Sequence, residues 1–241
     1  MTAAVALAVT AAALYLVAAG RRRWPVGRTG CWLAGLGCGV GAVTGPLAAA
    51  HLDLRAHMAA HLLLGMVAPL LLTLARPVTL LLRVLPLPTA RRVSRALRTA
   101  PVRLLTDPVV ATAVNTAGLV LLYRTGLFMA MLHSPGVHLV VSGHVLLTGW
   151  LATAAVLALE PTPHRRGVVV RAGALTAGMA GHDVLATTLY AAPPAEVGHA
   201  AAGAELMYYG GTVVHVLVAG LLWRQWYRSR ATIRAAAAVP A

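Results

Sequence analysis

Residues 57–75 read "HMAAHLLLGMVAPLLLTLA", a run of 19 residues without Asp, Glu, Lys or Arg. A helix rises about 1.5 Å per residue, so a run of this length can cross the roughly 30 Å hydrocarbon core of a bilayer. Two histidines and a methionine open the run, at a depth where polar side chains are costly. The stretch therefore predicts a membrane-spanning helix whose polar residues have a functional role.

The rest of the chain has the same character. Of its 241 residues 59% are hydrophobic and 11% are charged, and the mean hydropathy is +0.77, which is typical of a membrane protein. We predict an all-α, polytopic bundle of about seven transmembrane helices that forms one integral membrane domain over residues 1–241. The apolar runs that define these helices lie at about 2–20, 29–50, 57–75, 108–131, 138–159, 168–191 and 204–226.

The positive charges are distributed very unevenly between the two sides of this bundle. The formal net charge of +14 comes from 20 arginines and six acids, without a lysine. Seventeen arginines lie in four stretches that share one side of the membrane if seven helices alternate: 21–28, 83–103, 160–171 and 224–234. Because arginine-rich loops stay in the cytoplasm, the N-terminus is predicted outside and the C-terminus inside. No soluble basic domain remains, which excludes binding of nucleic acid as the role of the charge.

The longest stretch between the apolar runs, about 76–107, is predicted to lie on the membrane surface. Two short amphipathic pieces, "VTLLLRVL" and "ARRVSRALRTA", fall within it. The second piece carries four arginines suited to contact with anionic membrane lipid: Arg91, Arg92, Arg95 and Arg98.

Nine of the ten histidines fall in the outer half of the predicted bundle or in its outer loops. His57 and His61 are four residues apart, on one helical face, and can bind one metal ion together. The predicted metal ligands are the side chains nearest this layer: His57, His61, Met58, His182 and His215. Supporting or alternative ligands are predicted among His51, Asp53, His138, His144 and Asp183. Asp183 is expected to orient a histidine of a neighbouring helix, and Asp53 is equally compatible with a helix cap.

Imidazole and thioether ligands favour copper, Cu(I) in particular, although zinc and haem iron stay open. Zinc bound by three of these groups would indicate an intramembrane hydrolase. Haem held between His61 and His182 would indicate a b-type cytochrome. Any single histidine can also serve only as a hydrogen-bonding group between helices.

Three stretches resemble the CtaG-type cytochrome c oxidase assembly proteins. "HMAAHLLLGMVAPLLLTLARPVTLLLR" (57–83) resembles the family's H-M-x-x-H helix and the proline turn that follows it. "HLVVSGH" (138–144) resembles its later histidine pair, and "ELMYYGGTVVHVLVAGLLWRQWYR" (205–228) resembles its last helix with a Gly-Gly pair. The resemblance covers roughly residues 50–228.

The resemblance implies an assembly factor in the plasma membrane of a bacterium. Such a factor would handle copper for a subunit of a haem-copper oxidase, would need no catalytic turnover, and leaves open a homo-oligomer. Two positions depart from the family pattern. Leu206 and Met207 replace a frequent Asp-Gln pair, so Glu205 is the remaining acid that could serve as a ligand there. Arg76 replaces the glycine that often precedes the second proline.

Overall fold

The described residues of a computed structural model, which are 2–50, 52–162, 164–194 and 197–237, form helices and no strand, so the all-α prediction is confirmed. Predicted site residue His51 lies outside these ranges. The α-helices, in chain order, are α1 (Thr2–Gly20), α2 (Val26–Val43), α3 (Gly45–Ala49), α4 (Leu54–Leu62), α5 (Ala68–Ala75), α6 (Pro77–Val84), α7 (Leu87–Ala96), α8 (Ala100–Leu105), α9 (Pro108–Arg124), α10 (Leu127–His133), α11 (Pro135–Leu157), α12 (Val168–Ala191) and α13 (Ala200–Ala237).

Every apolar run of the sequence forms a helix, but the number of spans is not confirmed at seven. In the described part of the chain five helices are long and apolar enough to cross a membrane, or six if α9 and α10 form one broken span. These two helices meet at 73°, so the prediction of one straight helix over 108–131 is wrong. Helix α12, which has 24 residues and carries Arg171, His182 and Asp183, is not among these candidate spans. The orientation with the N-terminus outside stays a prediction.

The arginine-rich loops contact one another at one end of the bundle, which we call the arginine end. Arg22 Nε donates to the carbonyl of Arg83 (3.1 Å), and Arg166 Nε pairs with Asp107 Oδ2 (2.7 Å). The opposite end, which we call the histidine end, is tied together where Leu54 N donates to the carbonyl of Gly198 (3.0 Å). The helices therefore run between two ends of different chemistry.

The surface segment 76–107 forms three short helices, α6, α7 and α8, where two were expected. Each of them has a proline in its first turn, where the missing N–H costs nothing. Helix α7 exposes Arg91, Arg92 and Arg95, whereas Arg98 follows the end of that helix. The contact of these arginines with lipid stays a prediction.

A π-helical turn, Leu63–Val67, joins α4 to α5 directly after His61. Pro69 follows it, and a proline inside a helix removes one backbone N–H and crowds the preceding turn. The wider turn accommodates this defect and brings the Gly65 carbonyl against the backbone at Gly149 of α11. The interruption therefore fixes how closely α11 packs beside His61.

Two charged residues at the arginine end form hydrogen bonds with backbone groups of neighbouring helices. Arg171, expected in a solvent-facing turn, is only 4% exposed and donates to the carbonyls of Val156 (3.0 Å) and Leu157 (3.2 Å). The guanidinium thereby satisfies carbonyls at the C-terminal end of α11. Glu160 accepts hydrogen bonds from the backbone N–H groups of Val78 (3.0 Å) and Thr79 (2.9 Å) and from the Thr79 hydroxyl, and so caps α6.

Replacing Glu160 with alanine is expected to lower the free energy of unfolding by about 2 kcal/mol, because three donors lose a charged acceptor. The melting temperature in detergent measures the effect. Glu205→Ala is the matched control, since Glu205 is exposed on α13. Equal melting temperatures for the two variants would contradict the capping role.

Candidate functional site

Two buried imidazoles and a half-buried one, from three different chain segments, meet in the middle of the bundle. The ring centroids of His61 and His182 are 6.0 Å apart, with planes inclined by 15°. The rings of His182 and His215 are 5.5 Å apart and nearly perpendicular, at 77°. Helices α4, α12 and α13 therefore bring together three of the five predicted metal ligands, which we call the imidazole row.

The imidazole row contains buried polar atoms without a partner among the described residues. Both ring nitrogens of His182 and Nε2 of His61 are buried and accept or donate no hydrogen bond. Oδ1 of Asp183 is also buried without a hydrogen-bond partner, and it lies 3.8 Å from His182 Nδ1. Each such atom costs about 1–3 kcal/mol when it is left unpaired. A native protein keeps such groups where a ligand, an ion or a water completes them.

The Gly-Gly pair of α13 makes room for this arrangement. A Cβ at Gly211 would collide with the His182 ring, whose Nδ1 would lie 2.8 Å away. A Cβ at Gly210 would collide with the Leu62 side chain. These glycines therefore permit close helix packing, and Gly211 accommodates a histidine of the site.

His57 and Met58 lie one turn further toward the histidine end, around Tyr123 of α9. A hydrogen bond of 3.0 Å joins His57 Nε2 to the Tyr123 hydroxyl, which is also 3.9 Å from Met58 Sδ. The rings of both His57 and His61 meet the Tyr123 ring edge-on, with centroids 5.9 Å and 6.2 Å away. Tyr123 thus organises the H-M-x-x-H stretch, with His57 bonded to it and His61 in the imidazole row.

Two small cavities share His61. The one toward the histidine end has a volume of about 40 Å³ and is lined by His57, His61, Tyr123, His138 and Ser142, among apolar residues. The deeper one has a volume of about 70 Å³ and is lined among others by His61, Met66, Asn115, His182 and His215. Either volume holds a few water-sized groups. His61 and Val145 line both cavities, so His61 is the imidazole that lies between an outer cavity and an inner one.

Other predicted site residues lie apart from the imidazole row. His144 is exposed on α11, with its ring against Gly118, and Glu205 is on the exposed face of α13. Asp183, by contrast, lies beside His182 in the imidazole row and is close enough to His215 of α13 for an electrostatic interaction, and its role in orienting a histidine of a neighbouring helix stays a prediction.

Asp53 caps α4 by accepting from Arg55 N (2.9 Å) and forms ion pairs with Arg55 (2.8 Å) and His199 (3.2 Å). Its cap role is confirmed. The hydrogen bonds from Arg55 and the Arg55 charge hold the pKa of Asp53 well below its usual range.

Among the described residues no group of three or more His, Cys, Asp or Glu side chains is placed to hold a metal ion. The imidazole row is a chain of pairwise contacts between rings, and the predicted ligands do not converge on one point. Metal binding at His57, His61, Met58, His182 and His215 stays a prediction.

Sequence reasoning missed Tyr123 and underrated Asn115. Asn115 Oδ1 accepts from the Thr148 hydroxyl (3.1 Å) and lines the inner cavity. Both residues lie in the apolar run 108–131, and a polar group in such a run is a signal that could have marked them. The partner of each lies on another helix, which the sequence does not specify.

Tyr123→Phe is expected to lower the free energy of unfolding by about 1 kcal/mol, since His57 Nε2 loses its hydrogen-bond partner. Thermal unfolding in detergent measures this change. Tyr209→Phe is the control, because Tyr209 is 67% exposed on α13. A Tyr123→Phe variant as stable as this control would show that the hydrogen bond contributes nothing.

The fold and the site define a polytopic membrane protein with a row of imidazoles between its helices. A family model described as "Cytochrome c oxidase caa3 assembly factor (Caa3_CtaG)" matches residues 11–229. The chain belongs to this family of oxidase assembly factors. The family resemblance read from the sequence is thus confirmed.

The chain is also similar to three mycobacterial proteins. The chain is 36% identical over 176 residues to the uncharacterized protein Mb0105 of Mycobacterium bovis and, equally, to MT0111 of Mycobacterium tuberculosis. It is 30% identical over 167 residues to ML1998 of Mycobacterium leprae. These alignments cover 66–68% of this chain and 25–27% of the relatives, so the chain matches only about a quarter of their length. No solved structure matches the chain significantly.

Proposed function

We propose that this protein carries copper for the assembly of a haem-copper cytochrome c oxidase, and that the imidazole row binds one Cu(I) ion on its way to an oxidase subunit. The observation that carries the proposal is His182, which is 4% exposed and has two buried ring nitrogens without a partner. A cation held between this ring and a neighbouring imidazole satisfies one of those nitrogens. The role in oxidase assembly follows the family.

The chemistry of the cavity suits Cu(I) as cargo. Neutral imidazoles and the thioether of Met66, which lines the inner cavity, are ligands that Cu(I) accepts. Cu(I) also accepts two ligands, so contacts between pairs of imidazoles are sufficient. A monovalent ion loses less hydration energy than a divalent one in a medium of low dielectric constant.

The two cavities provide a route to this site. Copper that reaches His57 and His138 in the outer cavity passes His61, which lines both cavities, to reach His182 and His215. Tyr123 keeps the His57 ring oriented. Transfer outward along the same residues delivers the ion to the oxidase subunit at the histidine end. No step requires catalytic turnover.

The alternatives fit the geometry less well. A zinc hydrolase needs three protein ligands around one ion, and the described residues gather no such group. A b-type cytochrome needs space for a porphyrin beside His61 and His182, whereas the cavity there measures about 70 Å³. We therefore propose a bacterial plasma-membrane protein that carries copper; whether it forms homo-oligomers stays open.

The test is deletion of the gene in a bacterium that carries this chain and a caa3-type oxidase. The proposal predicts that the oxidase then accumulates with haem but with less than half of its copper. It also predicts that the wild-type chain or added copper salt restores the copper content. An oxidase that keeps its full copper content, or one that stays copper-deficient after the wild-type gene is returned, would contradict the proposal.

A further inference from the structure

A groove at the arginine end is lined by guanidinium groups from three segments of the chain. It has a volume of about 670 Å³ and lies between the start of α2, the turn from α5 to α6 and the end of α13. Its main lining residues are Arg28, Arg76, Arg224, Arg228, Leu74 and Leu221. Arginines from separate helices surround a floor that contains leucine side chains. This combination matches a phosphate group attached to acyl chains.

Arg76 occupies this groove at a cost in backbone conformation. Its backbone is left-handed, with φ of 54° and ψ of 56°, where the chain ends α5 and begins α6. Glycine adopts that conformation freely, whereas a side chain with a Cβ is strained there. Strained residues persist where their side chains serve a function. The structure therefore offers a reason for an arginine where a glycine would be more stable.

The groove concentrates positive charge from several arginines. Arg28 lies over the Trp24 ring (4.7 Å) and is close enough to Arg76 and Arg83 for their charges to repel. In the described part of the chain no salt bridge includes Arg28, Arg76 or Arg224. Glu160, which also lies near Arg28, is engaged by the backbone of α6. An anion in the groove would relieve this repulsion.

We propose that the groove binds the headgroup of an anionic phospholipid. The phosphate lies among the arginines, and the first methylene groups of the acyl chains pack on Leu74 and Leu221. Basic pockets between membrane helices bind anionic headgroups in this way. The groove is at the opposite end of the bundle from the outer cavity, so this site is independent of copper handling.

The test is calorimetric titration of the detergent-purified full chain with dioctanoyl phosphatidylglycerol. Dioctanoyl phosphatidylcholine and inorganic phosphate are titrated in parallel. We expect phosphatidylglycerol to bind at least tenfold more tightly than phosphatidylcholine. The Arg28→Gln/Arg224→Gln double variant is expected to weaken that binding at least tenfold. The matched control, Arg21→Gln/Arg23→Gln, removes two exposed arginines that follow α1 and do not line the groove, and it is expected to stay within twofold of the wild type.

Arg76→Gly separates binding from folding. We expect this variant to bind phosphatidylglycerol several-fold more weakly while its melting temperature is equal to or higher than that of the wild type. Equal binding of the two lipids, or an equal loss in the Arg21→Gln/Arg23→Gln control, would overturn the proposal. Inorganic phosphate that binds as tightly as phosphatidylglycerol would show a site for free anions and would overturn the lipid assignment.

Discussion

His182→Leu is expected to abolish oxidase assembly while making the protein more stable. Both ring nitrogens of His182 are buried without a partner, and leucine of similar volume removes that penalty of about 1–3 kcal/mol. A gain of this size raises the melting temperature of a 241-residue protein by a few degrees. The same change removes the central ligand of the imidazole row, so oxidase activity should fall to that of the deletion strain.

These opposite effects distinguish a functional histidine from a structural one. If a histidine served only to connect helices, its replacement would lower both the stability of the protein and the oxidase activity. His144→Leu is the control, because His144 is exposed on α11, and this variant should keep full oxidase activity. Membrane preparations from the complemented strains give oxidase activity, and purified variants give the melting temperatures. A stable His182→Leu protein that supports normal oxidase activity would contradict the role of the imidazole row.

Among glycine-to-alanine substitutions in α11, Gly149→Ala is expected to cause the largest loss of stability. The new Cβ would collide with the Gly65 carbonyl and lie 3.2 Å from Cγ of Pro69. A backbone carbonyl in a turn fixed by a proline cannot rotate away as a side chain can, so α11 must move outward. Overpacking of this kind costs about 3 kcal/mol, which lowers the melting temperature by about 10 °C.

Gly143 provides the matched control on the same helix. A Cβ at Gly143 meets nothing within 4 Å, and alanine is the better helix former by about 0.5–1 kcal/mol. Gly143→Ala should therefore be neutral or slightly stabilising. Thermal unfolding in detergent compares the two variants. A melting temperature for Gly149→Ala within 2 °C of the Gly143→Ala value would show that α11 does not pack on the π-helical turn as described.

Features that depend on one helix could be predicted from the sequence. The length of the apolar runs predicted the helices, and the Asp53 carboxylate at the start of α4 was recognised as a possible cap. The bend after Arg124 was not predicted, although Thr125 and Gly126 follow that arginine and interrupt the helix. Local sequence rules are therefore sufficient to predict features in which a residue affects only the helical turn that contains it.

Features that depend on how helices are rotated against one another could not be predicted. The sequence does not say that His182 turns toward Gly211 while His144 turns outward, since both are histidines within apolar runs. The same limit applies to Tyr123 as the partner of His57, because these residues are 66 positions apart. Partners across helices are set by packing of whole faces, which one chain does not encode as a local pattern.

The most direct test of copper handling is an anaerobic titration of the purified chain with Cu(I) in the presence of a competing chelator. We predict saturation at one Cu(I) per chain. Replacing His61 or His215 with leucine should weaken that binding at least tenfold, because each flanks the His182 ring. His144→Leu should leave it unchanged. No saturable binding, or binding that is the same in all four proteins, would contradict the proposal that the imidazole row carries copper.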